Sequence, residues 1–88
     1  MESVLSIISG CVKNDHRDQK KLYERYYGYA LKIIFRYIYR YEKAVDVAND
    51  GFVKIFRKID TFKCETPDMA EMMLMGWIKT IMINTAID

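Results

Sequence analysis

The sequence has little of what catalytic and metal-binding sites are usually built from. It contains one histidine and two cysteines, Cys11 and Cys64, which lie far apart in the chain. The paired ligand spacing that is typical of zinc sites is therefore missing. No glycine-rich phosphate loop and no nucleophile motif is present either. We expect a protein that is not an enzyme and that uses no metal or other cofactor.

Proline is also scarce, and neither sign of charge predominates. Pro67 is the single proline and 51% of the residues are hydrophobic, a composition that favours long helices around a core. The 88 residues suffice for one small domain, which we expect to span the whole chain. The formal net charge of +2 argues neither for nor against nucleic acid, so the distribution of the charges has to decide.

Signals for export, membrane insertion or disulfide formation are missing as well. The first dozen residues have no basic segment, and serines and a glycine interrupt their apolar residues, unlike a signal peptide. The most apolar run, 69–87, contains Glu71, Lys79 and Asn84, which favours a buried helix over a membrane span. Two cysteines do not make a disulfide framework. We expect a cytoplasmic protein with reduced thiols and no membrane insertion.

Helical periodicity predicts four segments. After a short apolar first helix, Asp15 stands as the N-cap of a long second helix whose apolar stripes continue to Tyr41. Residues 41–43 would form the turn into a third helix that runs to about Asp60. Thr66 and Pro67 fit the N-cap and first position of a fourth helix. The predicted fold class is all-α: a compact bundle of three main helices plus a short N-terminal one.

Large apolar side chains crowd the second and fourth helices. Tyrosines at helical spacing in the second helix are expected to fill the core rather than stack on bases, with Tyr39 and Arg40 as the exceptions. We expect most apolar residues of the fourth helix to be buried, because they cover almost every side of it. A contact patch formed by Met69, Met72 or Met75 is the alternative, since methionine suits adaptable binding.

The third helix has two different faces. Ala44, Ala48, Phe52, Ile55 and Ile59 recur every three or four residues and predict a stripe that faces the core. The other face, which we call the docking face, mixes charged, amide and apolar side chains. From spacing alone, a solvated face is the commoner interpretation of such a pattern. The alternative, suggested by its apolar members, is a surface for a partner, to which charges give orientation and apolar groups give affinity. The docking face consists of Asp46, Asn49, Asp50, Val53, Phe56 and Arg57.

The same helix carries a resemblance to a known family. Residues 44–52, Ala-Val-Asp-Val-Ala-Asn-Asp-Gly-Phe, resemble the Ala-Glu-Asp-Leu-x-Gln-Glu-x-Phe signature of region 2 in extracytoplasmic-function sigma factors of the sigma-70 family. Residues 10–15 and 19–27 resemble the opening of that family, and residues 76–88 resemble its Trp-hydrophobic-x-x-Ile-x-x-Asn helix. The resemblance implies a domain that binds the clamp helices of the largest subunit of core RNA polymerase and recognises the promoter minus-ten element as the strands open.

The resemblance also implies which residues bind polymerase. Asp46, Asn49 and Asp50 match the polar positions of the polymerase-binding segment. Phe52 matches the phenylalanine of the signature, but it falls on the core stripe, so we expect it to support the polar residues from beneath. The remaining members of the docking face are assigned from helical spacing alone.

For DNA, the resemblance points to Lys63, Lys79 and Asn84. Asn84 matches an asparagine associated with minus-ten recognition, and an amide can both donate to and accept from a base edge. Lys63 matches a basic residue before the base-capturing loop, and Lys79 occupies an often polar or basic position from which it could meet a phosphate. Thr80 replaces the arginine that is frequent beside it.

Two departures from the family pattern leave an alternative open. The segment 63–76 is longer than the glycine-rich loop that captures a flipped base in the family, and it carries Glu65, Asp68 and Glu71. Family members also continue into a helix-turn-helix domain, so we expect this chain to be a fragment. An anti-sigma factor is a further partner to consider. The low net charge, the acidic segment and the methionines favour instead a helical protein-interaction module without DNA binding.

Overall fold

The chain folds into α-helices joined by short connections. The computed structural model describes residues 3–64 and 66–88, and every regular element in these ranges is helical. The predicted all-α bundle of three long helices and one short N-terminal helix is confirmed. The α-helices are α1 (Val4–Val12), α2 (His16–Ile34), α3 (Tyr41–Lys58) and α4 (Ala70–Ile87), and the 3₁₀ turns are Ile59–Thr61 and Pro67–Met69.

Side-chain caps fix the starts of the first two helices. The hydroxyl of Ser3 accepts a hydrogen bond from the backbone N–H of Ser6 at the start of α1 (3.1 Å). Asp15 is the N-cap of α2, as predicted, and its carboxylate accepts from the backbone N–H of Arg17 (2.9 Å). That bond holds the pKa of Asp15 below its usual value. Asn14, which precedes the cap, has φ 61°, a left-handed conformation that asparagine tolerates better than most residues.

The second helix ends earlier than its periodicity predicted. Its last residue is Ile34, and the N–H of Tyr37 donates to the carbonyl of Ile34, three rather than four residues back (2.9 Å). Residues 35–40 form the connection, and Tyr41 already belongs to α3. The predicted continuation of α2 to Tyr41 and the turn at 41–43 are therefore wrong, and Tyr37 and Tyr41 are exposed. The chain must reverse before Ala44 so that the buried stripe of α3 can reach α2.

The core forms where one face of each helix meets the others. The predicted stripe of α3 is confirmed, because all five of its residues are buried. Phe52, at the centre of this stripe, packs edge-on against the Tyr23 ring of α2, with 4.8 Å between the ring centroids. The other buried apolar residues are Ile7, Ile8 and Cys11 of α1, Leu22, Tyr26, Ala30, Ile33 and Ile34 of α2, Val47 of α3, and Ala70, Leu74, Ile78 and Met82 of α4.

Only one side of α4 is buried. Its buried residues recur every fourth position, from Ala70 to Met82, and the other sides are partly or fully exposed. The expectation that most of the apolar residues of this segment are buried is therefore wrong, because α4 packs against its neighbours on one side only. The exposed methionines are Met69, Met72 and Met73, and Met72 has 62% of its surface exposed.

The start of α4 also differs from the prediction. Thr66 makes no side-chain capping bond, and Pro67 opens a 3₁₀ turn, so that the α-helix itself begins only at Ala70. In the described part of the chain, no helix has the length and hydropathy needed to cross a membrane. Both cysteines are free, as predicted.

Gly51 is a point of close contact between α3 and α4. A Cβ atom at this position would overlap the thioether of Met82, which is fully buried. Because glycine inside a helix costs about 1 kcal/mol relative to alanine, the sequence predicts the close approach of another backbone at Gly51. The predicted partner is wrong, because the close neighbour is the side chain of Met82.

Candidate functional site

The docking face of α3 is turned away from the core. Asp46, Asn49, Asp50 and Arg57 are exposed. Val53 lies among them with 48% of its surface exposed. Carboxylates, an amide, a guanidinium group and a half-exposed apolar side chain thus share one surface.

Asn49 is held in place by α2. The Tyr23 hydroxyl donates a hydrogen bond to Oδ1 of Asn49 (2.9 Å), while the Tyr23 ring packs against Phe52. Phe52 is buried and lies beneath this pair, as expected for a residue that supports the polar positions. The bond uses the carbonyl end of the Asn49 amide, so the N–H₂ end is the part that a partner would meet.

Phe56 is the most recessed member of the docking face. It is half-buried, and its ring lies 6.2 Å from that of Phe52 between centroids. A row of aromatic rings therefore runs from Tyr23 through Phe52 to the surface at Phe56. This row connects the apolar part of the docking face directly to the core.

Asn84 lies in a cleft between the C-terminal ends of α3 and α4. Three cations of α3 share this cleft with its amide, and the ammonium group of Lys54 donates to the Thr85 hydroxyl (3.3 Å). Arg57, assigned to the docking face, thus also lies next to Asn84, assigned to DNA. The sequence assignment missed Lys54 and Lys58, although both stand within one turn of Arg57. This α3–α4 cleft is lined by Lys54, Arg57, Lys58, Ile81, Asn84, Thr85 and Asp88.

Lys79 lies on another side of α4. Five residues correspond to about 140° around a helix, so Lys79 and Asn84 point in different directions. Lys79 lines a second cleft, between α2 and α4, together with Lys32 and Arg36. The two α4 residues assigned to DNA are therefore not brought together.

The segment before α4 carries the third residue assigned to DNA. Lys63 is exposed and follows Phe62, whose ring packs against Trp77 at 5.4 Å between centroids, with the planes inclined by 51°. This aromatic contact anchors the start of the segment to α4. Lys63 thus extends from a fixed point on the surface.

The acidic residues of this segment have different surroundings. Glu65 lies outside the described residues, and Asp68 is exposed. Glu71 accepts hydrogen bonds from the guanidinium of Arg25 (2.8 Å) and from the Tyr26 hydroxyl (3.2 Å). The contact with Arg25 holds the pKa of Glu71 below its usual value. One of the carboxylates that departs from the family pattern is therefore ionised and paired, which reduces its repulsion of a nearby phosphate.

Comparison with known proteins identifies the family. A family model described as sigma-70 region 2 matches residues 22–88, which include α3, α4 and most of α2. No curated protein and no solved structure gives a match. Every residue assigned above to polymerase or DNA falls within the matched stretch. The chain therefore belongs to the sigma-70 family, and its residues 22–88 are region 2 of a factor that acts in transcription initiation.

Proposed function

We propose that this domain docks on the clamp helices of the largest subunit of core RNA polymerase through the docking face of α3. The observation that carries this proposal is the exposed Val53 among carboxylates, inside the stretch that matches region 2. We further propose that α4 and the segment before it recognise the promoter minus-ten element, as in the extracytoplasmic-function group. The proposed role is non-catalytic, requires no cofactor and belongs to the cytoplasm, where polymerase acts.

The docking face offers a partner helix both orientation and affinity. Asp46 and Asp50 lie one helical turn apart and would orient basic residues of the clamp helices. Val53 supplies apolar area that becomes buried on docking. Asn49 adds a hydrogen-bonding group that Tyr23 already holds in one position, so less side-chain entropy is lost on binding.

The α3–α4 cleft offers a DNA strand a base-reading group surrounded by cations. The Asn84 amide has the donor and acceptor that a base edge requires. Lys54, Arg57 and Lys58 supply positive charge for the adjoining phosphates. Because Arg57 borders both surfaces, a strand held at Asn84 would lie next to the bound polymerase. Lys63 would extend the contact toward the segment before α4.

Binding to a purified clamp-helix fragment of bacterial polymerase tests the first half of the proposal. We expect the wild-type domain to bind and an Asn49→Ala, Asp50→Lys variant to bind at least about tenfold more weakly, a difference of about 1.4 kcal/mol. Glu24→Lys is the matched control, because it reverses one exposed carboxylate on α2 outside the docking face. Circular dichroism checks that each variant remains helical. A fragment that binds another sigma factor but not this domain would overturn the proposal.

The exposed methionines favour a second candidate function. Met69, just before α4, and Met72 and Met73 in its first turn are all exposed, and such methionines suit an adaptable protein contact, such as one with an anti-sigma factor. A protein-interaction module without DNA binding would need no base-reading residue. Binding of fluorescein-labelled single-stranded DNA separates the two candidates. Salt-dependent binding that Asn84→Ala weakens supports minus-ten recognition, and its absence supports the interaction module.

A further inference from the structure

We propose that Lys32 in the last turn of α2 and Arg36 in the connection after it join Lys79 of α4 to hold the phosphates of single-stranded promoter DNA. These cations line the cleft between the two helices, which we call the α2–α4 cleft and which also contains Tyr29 and Ile33. The inference rests on the proposed DNA-binding function, because it needs a strand that reaches α4. The inference adds α2 to the DNA-binding surface, whose residues assigned from the sequence lie only on α4 and in the segment before it.

The cleft continues a regular series of contacts between α2 and α4. Arg25 binds Glu71 (2.8 Å), and four residues further along both helices the Tyr29 hydroxyl donates to the backbone carbonyl of Met75 (3.1 Å). The next step of four along α4 reaches Lys79, which lines the cleft. Two fixed contacts therefore set the position of Lys79 against α2.

The floor of the cleft is apolar and its rim is positive. Ile33 is buried and Tyr29 is half-buried, with its hydroxyl bound to α4, so the floor is held in place. Lys32 on α2 and Arg36 just beyond the end of that helix are exposed, and both line the cleft opposite the exposed Lys79. The described residues that line this cleft include no carboxylate. Cations collected without a counter-charge repel one another, and an anion between them removes that repulsion.

The chemistry of the rim fits phosphate. The guanidinium of Arg36 can donate two parallel hydrogen bonds to one phosphate, and the lysines act as mobile point charges along a backbone. The exposed aromatic residues that follow Arg36 favour a single strand over an acidic protein surface. Tyr39 has 86% of its surface exposed and Tyr37 is also exposed, and such rings stack on bases whose phosphates are held nearby.

The salt dependence of DNA binding measures the number of phosphates that the protein contacts. The probe is a fluorescein-labelled single-stranded DNA, and the variant is Lys32→Gln, Arg36→Gln in the same chain. Each lost contact should lower the slope of log K against log salt by about 0.7 for a single strand, hence about 1.4 for two. Between about 50 and 200 mM salt, the wild type should therefore lose about sevenfold more affinity than the variant.

Matched variants separate a phosphate site from a general charge effect. Lys13→Gln, Lys20→Gln removes the same charge from exposed positions outside the cleft and should keep the wild-type slope. The swap Lys32→Arg, Arg36→Lys should also keep it, because both cations remain. An equal decrease of the salt slope in both double glutamine variants, or no decrease in either, would overturn the inference. Loss of clamp-helix binding in the Lys32→Gln, Arg36→Gln variant would overturn it as well.

The same experiment distinguishes failure of the inference from failure of the proposed function. If wild-type domain binds the strand and Asn84→Ala weakens that binding, while Lys32→Gln, Arg36→Gln has no effect, the α2–α4 cleft carries no phosphate and the function stands. If the wild-type domain does not bind the strand, both are overturned.

Discussion

Lys79 and Asn84 lie five residues apart on α4, yet they face different neighbours: Lys79 lies beside α2 and Asn84 beside α3. Each shares its cleft with cations from outside α4. A strand that touches both residues would therefore have to pass over the exposed surface of α4. The two side chains would meet different parts of that strand.

Single substitutions should separate the roles of these two residues. Lys79→Ala should lower the salt slope of single-strand binding by about 0.7, because one phosphate contact is lost. Asn84→Ala should lower affinity and leave the slope unchanged, because a neutral amide displaces no counterion. The free-energy effects should add in the double variant to within about 0.5 kcal/mol. Anisotropy titrations across a salt series measure all three, and a changed slope in Asn84→Ala would contradict the separation.

Two glycine substitutions should have opposite effects on stability. Gly28→Ala should stabilise the domain by about 0.5–1 kcal/mol, because an added Cβ meets nothing within 4 Å and alanine favours the helix. Gly51→Ala should destabilise it by about 1–3 kcal/mol, because its Cβ would overlap the buried Met82. Urea unfolding followed by circular dichroism measures both. Truncating the neighbour with Met82→Ala should shrink the Gly51→Ala penalty, and an unchanged penalty would point to another cause.

The two thiols should react at different rates. Cys11 is only 1% exposed, and its burial, followed by the charges of Asp18 and Asp15, raises its pKa to about 11. Cys64 is half-buried on the connection before α4. A disulfide reagent such as Ellman's should modify Cys64 quickly in the native domain and Cys11 only after unfolding. The fast phase should vanish in Cys64→Ser, and its persistence there would assign it to Cys11.

Burial of Cys11 should also make stability fall in alkaline solution. The pKa is about 11 in the folded chain and 9.0 in an unperturbed thiol, so the unfolded chain loses this proton first. The contribution is therefore complete below pH 9 and is lost as pH rises toward 11, on the order of 2 kcal/mol. Urea midpoints measured across this range should fall less in Cys11→Ala than in wild type. Equal slopes would show that the Cys11 pKa does not govern this loss.

Removal of the Tyr23 hydroxyl should loosen the docking face without disturbing the core. Tyr23→Phe should cost about 0.5–1.5 kcal/mol of stability, because the bond to Asn49 is lost while the ring remains against Phe52. Clamp-helix binding should weaken less than in Asn49→Ala, since the amide is freed rather than removed. Tyr39→Phe, at an exposed position, is the control for both measurements. A Tyr23→Phe domain that binds more weakly than Asn49→Ala would contradict this ranking.

Patterns local to one helix predicted much of the fold. The buried stripe of α3 follows from the spacing of Ala44, Ala48 and Phe52, and the start of α2 follows from the capping carboxylate of Asp15. Such features depend on backbone geometry within a few residues, so a short stretch of sequence is enough to predict them. The glycine at position 51 indicated a close neighbour as well, because glycine inside a helix is unfavourable, but it did not show that this neighbour is the side chain of Met82.

The features that escaped prediction depend on which helices are neighbours. The apolar periodicity of α2 continues through Tyr37, but the reversal before α3 ends the helix at Ile34. The apolar residues on almost every side of α4 predicted that Met72 is buried, but only one side of this helix packs against other helices. Lys32 and Lys54 are candidates only because α4 forms one cleft with α2 and another with α3, which the sequence of a single helix does not show. Periodicity identifies the apolar face of a helix but not the helix that covers it.

Two contacts between α2 and α4 have the same spacing on both helices: Arg25 binds Glu71, and four residues further along Tyr29 binds Met75. This spacing determines where the domain can accept extra residues. An additional residue in the exposed connection 35–40 would leave the four-residue steps of α2 and α4 aligned. The same insertion between Met75 and Lys79 would turn the rest of α4 by about 100°. That rotation would move Lys79 away from α2 and Asn84 away from α3 together. Length variation is therefore expected in the connection and not in the middle of α4.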